Sequence, residues 1–309
     1  MKITIGISFY NSEATLAEAI RSVFAQSFQD WELILIDDGS QDSSLDIARA
    51  IDDQRVRVFS DGKNLGLATR LNQISELAHT DYIARMDADD VMHPTRLQRQ
   101  LEVLESNPKL NIVSAGLIAI DSATRPVGIR GCRPMEVSAA GLLACRCIAH
   151  PTVMGRASWF RENRYDPNYR RAEDCELWCR AFRKKCLNAA VLAEPLIFYR
   201  EEGEIRLSKI LGSYRELRRI IHRDGPVLIG WRQSLAILAS LHVKEFAYRL
   251  AALMGKEMMI VHRRNELMEE SQQALAEEAL RVVLETPVPG LAEARNAGEL
   301  ALWKTTASV

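Results

Sequence analysis

This chain predicts an α/β fold: a Rossmann-like, mainly parallel central sheet with helices on both faces, followed by a helical C-terminal extension. Three observations predict it. Short runs rich in Ile, Leu and Val recur through the first 120 residues, separated by stretches in which apolar residues return at helical spacing. Such alternation builds repeated β-α-β units, whose parallel strands are buried on both sides and read as continuous apolar runs. Two of those runs stop abruptly in carboxylates, at Asp37-Asp38-Gly39-Ser40 and at Asp87-Ala88-Asp89-Asp90. Past Arg200 the composition changes: residues 206–264 carry 12 Lys/Arg against 4 Asp/Glu, and residues 265–309 carry 3 against 8.

The elements follow in order. Residues 3–8 read as a buried strand. Asn11 or Ser12 is placed to cap a helix whose Leu16, Ile20, Val23 and Phe24 share one face. Residues 32–36 form a second strand, a helix runs through Ile47, and residues 56–59 form a third strand. A loop over residues 62–66 leads to a helix over 67–78, then a strand over 81–86 and the acidic cluster. Pro94 opens a helix over residues 95–104, since proline suits a first turn, and residues 111–120 give a further strand. The pattern is less regular from 131 to 200, where Glu173-Asp174 starts a helix bearing Leu177, Trp178, Ala181 and Phe182. Residues 190–199 read as the last strand. Beyond it, Leu207, Ile210, Leu211, Tyr214, Leu217 and Ile221 mark one amphipathic helix. Val243, Phe246, Leu250 and Leu253 mark another.

Composition narrows the function classes. With 309 residues, 47% hydrophobic and 26% charged, the chain is an ordinary globular protein large enough for one big domain with an appendage. A formal net charge of −1 gives no reason to expect a nucleic-acid partner. No apolar run reaches the ~20 residues of a spanning helix, and the first ten residues look like a strand rather than a signal peptide. The expected location is therefore cytoplasmic. None of the six cysteines forms a C-x-x-C pair, so reduced, buried thiols are expected instead of a zinc site.

The acidic cluster is the most informative stretch. Three carboxylates within four residues at a strand end repel one another, and a divalent cation offsets that repulsion while bridging to phosphate oxygens. An acidic turn ahead of Pro94 is the plainer alternative. The Asp37-Asp38 turn faces the same sheet edge, where ligands of parallel sheets bind. No G-x-G-x-x-G follows the first strand, which disfavours a dinucleotide-dependent oxidoreductase.

Five blocks carry a family resemblance: Ile7-Ser8-Phe9-Tyr10-Asn11; Trp31 through Ser40; Asn64-Leu65-Gly66-Leu67; Tyr82 through Asp90; and Ala172-Glu173-Asp174-Cys175-Glu176-Leu177-Trp178. In this order and spacing they resemble glycosyltransferase family 2, inverting sugar transferases of the GT-A fold. The likeness spans about the first 200 residues and leaves the last hundred without an assignable motif. It implies a GT-A catalytic domain over residues 1–205, split into a nucleotide-sugar half (1–110) and an acceptor half (111–205), with 206–309 as the helical extension.

The resemblance also implies roles. Asp38 would accept from the N3–H of a uracil, an imide donor that suits an acceptor-only carboxylate. Ser8 and Tyr10 would flank that nucleoside, and Arg70 is placed to meet the diphosphate. Asp89 would hold Mn²⁺ or Mg²⁺, with Asp87 on the metal or the ribose and Asp90 beside them. Asp174 matches the base that takes the acceptor hydroxyl proton, Glu173 would orient it, and His150 would line the acceptor side. Glu201-Glu202-Gly203-Glu204 replaces the continuation that usually follows Tyr199-Arg200, which leaves a phosphate role for Arg200 unsupported.

The activity implied is metal-dependent transfer from a nucleotide-diphospho-sugar, UDP-linked by the Asp38 argument. The acceptor would be a glycan or lipid-linked sugar in cell-surface polysaccharide or lipopolysaccharide synthesis. A catalytically inactive nucleotide-sugar-binding scaffold and a nucleotidyltransferase are the alternatives. The basic C-terminal helices are suited to peripheral contact with the inner face of the membrane. Trp231 and residues 235–241 look core-like, though, and favour packing on the catalytic domain or a second subunit.

Overall fold

The computed structural model describes residues 1–201, 207–254 and 265–291. The first half alternates as expected: β1 (Ile3–Phe9), α1 (Leu16–Phe24), β2 (Trp31–Asp37), α2 (Ser44–Arg49), β3 (Val56–Ser60), α3 (Leu67–Leu77) and β4 (Tyr82–Asp87). The middle adds β5 (Val91–Met92), α4 (Arg96–Ser106), β6 (Ile112–Ile120), β7 (Pro126–Arg130), α5 (Ala139–Leu143), a 3₁₀ turn at His150–Thr152, β8 (Met154–Arg156), α6 (Ala157–Glu162), α7 (Glu173–Arg183) and β9 (Ala189–Arg200). Three helices complete it: α8 (Leu207–Leu228), α9 (Trp231–Leu253) and α10 (Glu270–Glu285).

One sheet runs in the order β3-β2-β1-β4-β8-β6-β9-β5, with β7 also paired to β6. β1 pairs in parallel with β2 and β4, which sets Phe9 opposite Asp37 and Ser8 opposite Asp87. The carboxylate-bearing strand ends therefore meet at one edge. β8 inserts antiparallel between β4 and β6, and the β6–β9 pairing returns to parallel. Both faces of the sheet are covered. In β2, Leu33 and Leu35 join one core while Ile34 and Ile36 join the other, the two-residue alternation of a strand. Gly6 of β1 lets α3 approach: a Cβ there would fall 2.4 Å from Ile74 Cγ2.

The expected cap of α1 is corrected. Asn11 adopts φ 51° in a turn, where its Oδ1 accepts from the Gln41 N–H, and the helix starts only after Thr15 with no side-chain cap. The short elements between 126 and 162 were not anticipated, because three- to six-residue pieces carry too few apolar repeats to show a period.

The expected boundary near 205 lies outside the described residues. The helices beyond it are built into the fold. α8 and α9 form a hairpin on α7 and α5, with Ile220, Ile221, Leu238 and Leu241 completing the core that α7 shares. The expectation that the apolar face of α9 packs inward is only half met. Leu238 and Leu241 are buried, whereas Trp231, Leu235, Val243, Phe246, Leu250 and Leu253 are exposed. α10 packs on the other side of the molecule, where Leu280 and Val283 join Ile118, Ile120 and Phe198. Arg21 of α1 donates to the Thr286 carbonyl at its end.

Candidate active site

The turn after β2 fixes Asp38. Its N–H donates to the Phe9 carbonyl at 2.8 Å, and Gly39 takes φ 78° with its backbone close against Lys63. The Asp38 carboxylate accepts from the N–H groups of Leu65 (2.8 Å) and Gly66 (3.0 Å) and from Arg70 Nε (2.8 Å). Asp37 faces away and is structural, accepting from the Ser40 N–H and the Ser60 hydroxyl. Burial pushes its carboxyl up, but those hydrogen bonds hold it below the ordinary value.

Arg70 departs from its expected role. Nε meets Asp38, Nη1 meets Asp61 and Gln73, and Nη2 meets Asp61 and the Lys63 carbonyl. A guanidinium has five N–H donors, so all are engaged and none is left for a diphosphate. The side chain is 1% exposed. Arg70 anchors the Asp38 turn to the loop beneath it.

At the end of β4, carboxylate oxygens of Asp87, Asp89 and Asp90 lie within 4.8 Å of one another. Asp90 is fully buried; one oxygen accepts from the Arg200 N–H at 3.0 Å and the other has no hydrogen-bond partner. Burial, then the charges of Asp89 and Asp87, push its carboxyl well above the ordinary value. Three crowded oxygen donors with an orphaned buried oxygen fit a hard divalent cation such as Mg²⁺ or Mn²⁺. Arg200 clamps this loop by its backbone, also donating to the Asp89 carbonyl, Glu18 and Thr124. It is a structural brace.

Arg85, in β4, was not singled out from the sequence. It is buried and ion-paired to Asp87, while its Nε and Nη1 have no hydrogen-bond partner. Asp87, Asp90 and Glu173 all raise its pKa against the opposing effect of burial, and it lowers that of Asp174. One guanidinium thus lies between the strand-end cluster and the start of α7. The signal was a charged residue inside the apolar run Tyr82-Ile83-Ala84-Arg85-Met86, a position where an unpaired charge is too costly to be incidental.

Glu173 and Asp174 begin α7, where the helix dipole favours carboxylates. Burial, then Asp174, raises the Glu173 carboxyl to about 7, and one of its oxygens is buried without a partner. Loss of solvation also raises Asp174. The extension supports this helix start directly: Glu216 of α8 accepts from the N–H groups of Arg170 (3.1 Å), Arg171 (2.9 Å) and Ala172 (3.0 Å).

An open cleft of about 670 Å³ reaches Asp38 and Glu173, whereas Asp87, Asp89, Asp90 and Asp174 are not among the residues that line it. Ser8, Tyr10, Asp38 and the loop through Gly66 line one side; Tyr169, Arg170 and Glu173 line the other, with Lys209 and Ser213 of α8 at the rim. Tyr10 is exposed there. His150 is not a cleft residue. It is buried, with Nε2 2.9 Å from the Tyr165 hydroxyl and its ring against Trp178. Burial, then Arg85, holds its pKa well below the ordinary value, so it is a neutral strut in place of the expected acceptor-side contact.

Comparison with known proteins gives a consistent family. The family model described as glycosyl transferase family 2 matches residues 4–167. A putative glycosyltransferase, EpsE of Bacillus subtilis (strain 168), is 36% identical over 211 residues, covering 66% of this chain and 74% of its own. An uncharacterized glycosyltransferase of Haemophilus influenzae is 28% identical over 236 residues, 72% of each chain. Among solved structures, residues 1–349 of S. aureus TarS in complex with UDP-GlcNAc superpose with a TM-score of 0.63 at 17% identity, covering 93% of this chain and 82% of that one. The same protein in complex with UDP gives 0.61 at 17% identity over 93% and 81%. At that identity the likeness is one of fold, and the fold is GT-A.

Proposed function

We propose, from the premise that this chain belongs to glycosyltransferase family 2, that it moves a sugar from a UDP-linked donor to an acceptor hydroxyl with inversion. The acceptor is a glycan or lipid-linked sugar in cell-surface polysaccharide or lipopolysaccharide synthesis, met at the inner face of the cytoplasmic membrane. The observation that carries the reading is the cleft lined by both Asp38 and Glu173, with Arg85 coupling the Asp87-Ala88-Asp89-Asp90 loop electrostatically to Glu173-Asp174.

Each residue has a task in this reading. Asp38 Oδ2 accepts one backbone N–H and keeps a lone pair for the uracil imide. Tyr10 and Ser8 border the nucleoside. Asp89 and Asp87 hold a divalent cation, with Asp90 behind them. Bound there, Mn²⁺ or Mg²⁺ neutralises charge on the leaving diphosphate.

Asp174 takes the proton of the acceptor hydroxyl as that oxygen bonds to the anomeric carbon. The bond from that carbon to the diphosphate oxygen breaks with its electron pair. Glu173, its proton held near neutrality, orients Asp174 or the hydroxyl. Arg85 holds Asp87 and moderates the charge of both α7 carboxylates.

The test is a panel of nucleotide sugars, with and without Mn²⁺, scored for nucleoside diphosphate release in the presence of glycan and lipid-linked acceptors. A UDP-sugar that turns over only with the metal is the expected result. Failure of every donor to bind or react under all metal conditions contradicts the reading.

A further inference from the structure

We propose that the outer face of α9 is a docking surface for an anionic lipid bilayer, with the helix lying along the headgroups. This deepens the proposed function, resting on its reading of an acceptor presented at a membrane. Trp231, Leu235, Val243, Phe246, Leu250 and Leu253 return at intervals of three, four or eight residues, so they fall on one side of the helix. Their exposures include 67% at Trp231, 68% at Val243 and Phe246, and 85% at Leu253. The stripe is about 33 Å long at 1.5 Å per residue. Among the described residues nothing covers it, while the opposite side buries Leu238, Leu241, Tyr248 and Ala251. A helix apolar on both sides has two partners, and α8 is only one of them.

Charge decides between occupants. Residues 207–254 hold eight Lys/Arg and three Asp/Glu, and every one of those carboxylates is engaged. Glu216 holds the backbone ahead of α7, Asp224 holds Arg183 and Arg223, and Glu245 holds Arg218 and Arg249. The exposed side is apolar with Arg232 on it, and residues 207–254 together carry a net charge of +5. Anionic headgroups complement such a surface, and apolar side chains then sink to the acyl boundary. A second copy would set the same cations against one another across a twofold axis. No described helix is long and apolar enough to cross a membrane, so the contact is peripheral.

The experiment sediments the full chain with vesicles of phosphatidylglycerol or of phosphatidylcholine alone, with UDP binding measured on the same samples. The chain is expected to sediment with phosphatidylglycerol vesicles, and to be released by salt as headgroup attraction is screened. The double substitution Val243→Glu with Phe246→Glu, at exposed positions, is expected to weaken partitioning by about tenfold or more. UDP affinity and circular dichroism should stay unchanged.

No binding to phosphatidylglycerol by the unsubstituted chain overturns the inference, as does equal sedimentation of the double variant. A dimer in solution that the double variant splits, with no vesicle binding, assigns the stripe to a second copy and also overturns it. A chain that binds vesicles yet turns over no donor leaves this surface standing and contradicts the transferase reading alone.

Discussion

Arg70 uses all five guanidinium donors to tie Asp38, Asp61, Gln73 and the Lys63 carbonyl into one turn. Arg70→Ala leaves the nearly buried Asp38 without its cation, keeping only the Leu65 and Gly66 N–H groups, so a stability loss of about 3 kcal/mol is expected together with weaker UDP binding. A direct phosphate contact would weaken UDP binding and leave the denaturant midpoint in place, so the two measurements together separate the roles.

Glu173 offers a pH test. Its folded pKa of about 7 stands above the ordinary 4.5. Its stabilising contribution is therefore complete below pH 4.5 and is lost as pH rises through 7. Glu173→Gln, neutral throughout, is expected to be more stable than the unsubstituted protein at about pH 8 by roughly 1–3 kcal/mol, and equal to it in acid. Urea unfolding at both pH values checks this; a difference independent of pH contradicts it. The crowding of carboxylates at the strand ends was legible in the sequence, although one of them, Asp37, serves its own turn. The tasks of Arg70 and Arg85 were not, since their partners lie on other elements that only folding brings near.

α7 shows how one element depends on another. Its first turn, which bears Glu173 and Asp174, follows the segment whose three N–H groups donate to Glu216 of α8. Glu216→Ala removes charge-assisted bonds worth roughly 1.5–3 kcal/mol each in favourable cases. It is expected to slow transfer by about tenfold through misplacement of Asp174, with UDP affinity within about twofold. Steady-state rates and calorimetry check the split; equal loss of both would show a general unfolding effect.

The helix start itself was readable from Glu173-Asp174 ahead of an apolar face. Its dependence on a residue 45 positions downstream of Arg171 was not. In α9 the spacing of Val243, Phe246, Leu250 and Leu253 showed a face, and the structure turned that face outward. Apolar residues surround this helix, so periodicity alone could not choose the inner side.

Across the whole molecule, the described helices of the extension share their cores with the sheet and α7. α8 and α9 brace α7, and α10 closes the far core with Leu280 fully buried against the strands. Leu280→Ala is expected to cost about 2–5 kcal/mol and to lower the melting temperature of the whole protein in a single transition. A separate early transition, with the main one unmoved, would make α10 an independent appendage. The parallel half of the sheet was legible because its strands are largely apolar runs alternating with stretches at helical spacing. The order β8-β6-β9-β5 was not, because β5 and β8 have two and three residues and pair through distant partners.

The central proposal is that Asp38 binds the donor and that Asp174, next in the chain to the cleft residue Glu173, activates the acceptor. Asp174→Asn separates those functions by removing the proton acceptor while keeping shape. Calorimetry of UDP-sugar binding alongside the transfer rate tests it most directly. The account predicts unchanged donor affinity with transfer reduced by at least about a hundredfold. Parallel loss of both, or transfer that survives the substitution, would contradict it.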